Sequence, residues 1–97
     1  MGLVRRGKAK VRGSGFIVTW DVDSRDRSTV NRLMAFLYGR RVQNHGKEYV
    51  YQGFVMRDGV RYVGQSTIFA LPYRLEEIRM FLSRHSVDHD ITNAWIS

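Results

Sequence analysis

From Gly15 the pattern of the chain changes: the large apolar residues Phe16, Val18 and Trp20 recur at every second position, interleaved with the β-branched Ile17 and Thr19, as far as Asp21. That period of two predicts a first strand. The polar stretch Asp21 to Ser28 holds several N-cap candidates and leads into Val30, Leu33, Met34 and Leu37. This i, i+3, i+4, i+7 spacing predicts one helix with one buried stripe, stopped by Gly39. Arg40 to Lys47 reads as a polar, basic loop. Tyr49 to Met56 and Val60 to Leu71 are rich in β-branched and aromatic residues, and Asp58-Gly59 between them predicts a tight antiparallel hairpin. Pro72 ends the second of these strands. Leu75, Ile78, Phe81 and Leu82 predict a second helix to about His85, and Ile91 to Ile96 a last strand.

Strand, helix, hairpin, helix, strand is the order of a ferredoxin-like βαββαβ domain of the α+β class. Right-handed crossovers would place both helices on one face of a four-stranded antiparallel sheet, with the strands that precede the helices in the middle. The other face would stay open for a ligand or a second subunit.

The 97 residues are enough for one domain. No cysteine is present, which excludes disulfides, thiol nucleophiles and cysteine-bound zinc, and fits a reducing, cytoplasmic setting. No apolar run is long enough to span a bilayer, so no membrane role is expected.

Charge changes the picture more. Of 16 Lys and Arg, five (Arg5, Arg6, Lys8, Lys10 and Arg12) fall within the first 14 residues, which hold no acid. The remaining chain has 11 bases against nine acids, so most of the +7 net charge sits at one end. Residues 1–14 carry too little apolar surface to order a backbone, and read as a flexible basic arm ahead of a domain at 15–97. Such an arm suits nucleic-acid phosphates, and Arg40, Arg41 and Lys47 would extend its surface.

Asp21, Asp23 and Asp26 form an acidic group after the first strand. Asp21, at the strand end, is a candidate Mg²⁺ ligand; the simpler reading, and the favoured one, is that Asp21 and Asp23 shape the loop while Ser24 or Asp26 caps the helix. His45, His85 and His89 have no metal-site spacing, and no Gly-rich phosphate loop follows a strand. Tyr49, Tyr51, Phe54, Tyr62, Phe69 and Trp95 fall on expected strands, where they would stack bases on an open face or serve packing and a subunit interface.

Ile17-Val18-Thr19-Trp20-Asp21-Val22-Asp23-Ser24 with Arg27, and Gly64-Gln65-Ser66-Thr67-Ile68-Phe69, resemble two stretches of the smaller universal CRISPR-adaptation protein family. With the helices behind them they cover about half the chain. The resemblance implies a ferredoxin-like homodimer that binds duplex DNA on basic surfaces and scaffolds spacer integration, with metal-dependent nuclease activity in some members. It also implies that Asp21 matches the family's candidate metal ligand. The segment Arg40 to Arg61 is longer than the family's, and the basic arm is absent there. RNA-recognition domains share the strand order, and Gly53-Phe54-Val55 resembles the centre of their aromatic signature without its full pattern.

The expectation is a non-enzymatic, homodimeric nucleic-acid binder, DNA favoured over RNA, that needs no cofactor. One alternative is a nuclease of the CRISPR-adaptation type using Asp21 and Mg²⁺. Another is a protein-interaction module of a virus or mobile element.

Overall fold

In the computed structural model, residues 10–97 are described. The elements run β1 (Gly13–Asp21), α1 (Arg27–Tyr38), β2 (Gly39–Asn44), β3 (Lys47–Gln52), a 3₁₀ turn (Phe54–Met56), β4 (Val60–Gly64), β5 (Thr67–Ala70), α2 (Pro72–Arg84) and β6 (Asp88–Ile96). Four strands form one antiparallel sheet in the order β4-β5-β1-β6, and β2 and β3 form a separate two-stranded ribbon. The protein is thus of mixed α+β class. β1 and β5, the central strands, are the ones that precede the helices.

The core follows from register. Val18 stands opposite Ile68, Tyr62 opposite Ile68, and Val60 opposite Ala70, so these positions share one sheet face. On that face Val18, Trp20, Val60, Ile68 and Ala70 meet Leu33 and Leu37 of α1 and Ile78 and Leu82 of α2 in a single buried cluster. α1 starts at Asp26, whose carboxylate accepts from the Thr29 amide (3.2 Å) and hydroxyl (2.7 Å). These bonds hold the Asp26 carboxyl below the usual carboxylate range. Pro72 opens α2, where its missing N–H costs nothing.

Several expectations are corrected. β1 begins at Gly13 rather than Gly15, and Val11 before it is buried, so the last residues assigned to the arm belong to the folded domain. The segment 40–47 is not a loop: Arg40 to Asn44 is strand β2. Asp58-Gly59 does not join two paired strands. Its turn, closed by Val60 N to Arg57 O (3.3 Å), leads from the 3₁₀ turn into β4 and is strapped to α2 by Arg74, which donates to the Asp58 carbonyl (2.8 Å). The main-sheet hairpin instead closes at Gln65-Ser66, with Ser66 at φ 59°. Gly53-Phe54-Val55 lies outside the sheet, with Phe54 and Val55 buried in the core, so the likeness to an RNA-binding aromatic strand has no structural counterpart. The buried stripe of α1 is rotated as well: Met34 is 51 % exposed, whereas Phe36 packs against the core.

Candidate nucleic-acid interface

The ribbon is built from local rules. α1 ends because Gly39 takes φ 80°, a conformation that side chains with a Cβ rarely adopt, and the chain turns directly into β2. Asn44-His45-Gly46-Lys47 reverses it, with His45 at φ 54° and Gly46 at φ 77°. Positive φ at both central positions is the type I′ requirement, whose twist matches that of a two-stranded ribbon.

Alternation then sorts the side chains onto two faces. Arg40 pairs with Tyr51, Val42 with Tyr49 and Asn44 with Lys47, so one face carries two cations and two tyrosines around Val42. Every residue of β3 is exposed, Tyr49 by 46 % and Tyr51 by 57 %. On the opposite face Arg41 donates to Glu48 (3.3 Å) beside Val50. Exposed on both sides, that pair adds little to stability, but it offsets the Arg41 charge.

Ion pairing elsewhere separates engaged cations from free ones. Arg25 binds Asp23, Arg57 and Arg74 share Glu77, and Arg79 binds Glu76. Lys10, Arg12, Arg27, Arg32, Arg40, Lys47, Arg61 and Arg84 make no ion pair among the described residues. Arg5, Arg6 and Lys8 lie outside the described residues.

At its base the Arg40–Tyr51 face runs into a groove of about 430 Å³ lined also by Asn31, Arg32, Ala35, Phe36, Phe81 and His85. Its floor is part of a column of rings. Phe54 stacks on Phe36 (centroids 5.2 Å apart), Phe36 on Phe81 (4.2 Å), and Phe81 meets His85 (4.5 Å). Arg32 and Phe36 are four apart on α1, and Phe81 lies four residues before His85, which caps α2 and donates its N–H to the Phe81 carbonyl, so each pair lies to one side.

No family model, curated protein or solved structure matches the chain. The functional reading therefore rests on the residues themselves.

Asp21 is exposed at the end of β1, directly opposite Asp88 on β6. Asp23 is occupied with the Arg25 side chain and amide (2.9 Å to the amide), which hold its carboxyl low, and Asp26 with the helix cap. Two of the three acids thus do the loop and cap work, and among the described residues no group of three potential metal ligands converges. The aromatics read as strand residues do not gather on one open face. Phe54 is in the core, Tyr49 and Tyr51 are on the ribbon, and Tyr62 lies beside Tyr38 (6.5 Å). Phe69 does lie on the face away from the helices but is fully buried, its ring seated where a Cβ on Gly15 would come within 2.6 Å of it. In this arrangement it offers no surface for a base.

Among the described residues no helix is long and apolar enough to cross a membrane.

Proposed function

We propose that the chain is a non-enzymatic nucleic-acid-binding protein that grips phosphates with the β2–β3 ribbon and the basic N-terminal residues Arg5, Arg6, Lys8, Lys10 and Arg12. One observation carries the reading: Arg40 and Lys47, without ion-pair partners among the described residues, flank two exposed tyrosines on one face of a ribbon. A two-stranded ribbon is narrow enough for the major groove of B-DNA, about 12 Å wide, and its cations would reach phosphates on the groove walls. Duplex DNA is the favoured ligand.

The strand order β4-β5-β1-β6, with helices after both central strands, supports a ferredoxin-like plan into which the β2–β3 ribbon is inserted. Such an insertion would account for an Arg40 to Arg61 segment longer than that of the small CRISPR-adaptation family, which two stretches of the chain resemble. A homodimer is part of the proposal. Ile17, Val63, Trp95 and Ile96 border a hollow on the sheet together with Arg61, Tyr62 and Ser97, with Val63 52 % and Trp95 68 % exposed, and a second subunit would cover these apolar side chains.

A second reading, Mg²⁺-dependent nuclease chemistry at Asp21, has in its favour the exposed Asp21 facing Asp88 at the end of a central strand. It requires Mg²⁺-dependent cleavage that Asp21→Ala abolishes.

Fluorescence anisotropy with a short labelled duplex and the matching RNA, at low salt, tests the main proposal. Saturable binding, tighter to DNA, is expected; failure to bind either polymer would sink it.

A further inference from the structure

The groove at the foot of the ribbon combines features that a phosphate-gripping surface does not need. Its floor is aromatic: Phe36 and Phe81 are stacked at 4.2 Å and 13°, and both are only half-buried. Its rim holds Arg32 and Arg40, both exposed and unpaired among the described residues, with Asn31 and the His85 ring beside them, and its lining includes no carboxylate. A volume of about 430 Å³ lies within the range of about 300–1,000 Å³ typical of small-molecule sites. Flat apolar rings next to two free guanidinium groups complement a ligand that is flat and apolar at one end and anionic at the other.

We infer that this groove receives a single unpaired nucleotide, its base against the Phe81–His85 end of the ring column and its phosphate between Arg32 and Arg40. The inference rests on the nucleic-acid reading and sharpens it. Arg40 and Tyr51 belong to both the ribbon face and the groove, so a strand followed along the ribbon leads into the groove. A base still paired in a duplex has its faces covered by its neighbours, so the occupant is a nucleotide from a frayed end, overhang or single strand. Asn31 would contact the base edge or sugar.

The test is an amide NMR titration of the full chain with three probes: adenosine 5′-monophosphate, adenosine and inorganic phosphate. The monophosphate should move the signals of residues 31–36, 51 and 81–85 saturably, adenosine should move the same set more weakly, and phosphate alone should leave the 81–85 signals in place. The exposed pair Arg32→Gln with Arg40→Gln should weaken the monophosphate by about tenfold or more, since charge-assisted bonds to phosphate are lost. Equal response to phosphate and monophosphate would overturn base stacking. Silence of the groove toward the monophosphate, in a protein that still binds duplex, would overturn the inference and leave the proposed function standing. Loss of both would end both.

Discussion

Arg40 and Tyr51 stand directly opposite each other at the root of the β2–β3 ribbon, a guanidinium without an ion pair among the described residues beside an exposed phenol. One residue further along, Arg41 faces the other way and is held by Glu48. Two neighbouring arginines in the sequence thus have opposite surroundings, and the difference is testable. Arg40→Gln should weaken duplex binding by several-fold, while Arg41→Gln should change it much less. Anisotropy titrations of the two variants side by side check this.

The neck of the ribbon depends on backbones passing where a side chain would not fit. A Cβ on Gly53 would collide with the Leu37 carbonyl oxygen, the Tyr38 carbonyl carbon and the Gly39 nitrogen, all main-chain atoms. Gly53→Ala is therefore expected to destabilise the fold by about 1–3 kcal/mol, the usual cost of overpacking. Urea denaturation should show a lower midpoint with an unchanged slope.

The start of α1 gives a prediction in pH. The Asp26 carboxyl is lowered by its bonds to Thr29, so its contribution is present above the unfolded carboxylate's ordinary range and is lost as pH falls through the folded value. Asp26→Ala should lower the melting temperature by a few degrees at neutral pH, and the gap from wild type should shrink in acid. Asp26→Asn, which keeps a capping oxygen, should recover most of the loss at neutral pH. Thermal melts across the acid range measure all three.

Ile78 is fully buried where α2 meets the sheet. Ile78→Ala should cost about 2–5 kcal/mol, a large share of the margin of so small a domain. Denaturant titration gives the value directly.

Much of this fold was legible in the sequence because its signals are strong. Phe16, Val18 and Trp20 recur at every second position, Leu33 and Leu37 lie one helical turn apart, and Gly39 and Pro72 mark real boundaries. The ribbon was half legible: most of β3 falls in the expected strand Tyr49 to Met56, but β2 was missed, because a strand exposed on both sides needs no apolar alternation and Arg40-Arg41-Val42-Gln43-Asn44 looks like any solvated loop. Its turn was masked by competition. Asp58-Gly59 is the stronger hairpin signal, but Arg74 and the 3₁₀ turn use that glycine for a different reversal, while His45-Gly46 closes the ribbon. The candidate interface was half legible. Arg40, Arg41 and Lys47 stood out by charge, but their sorting onto two faces needed the register. Arg32, Phe36, Phe81 and His85 meet only through tertiary packing, although the i, i+4 spacing of each pair was visible.

The most direct test of the account is the salt dependence of duplex binding. In wild type, the logarithm of affinity should fall linearly with the logarithm of salt concentration, and Arg40→Gln with Lys47→Gln together should reduce that slope by about 1.8. A slope identical in wild type and double variant would contradict the ribbon as the phosphate-contacting element.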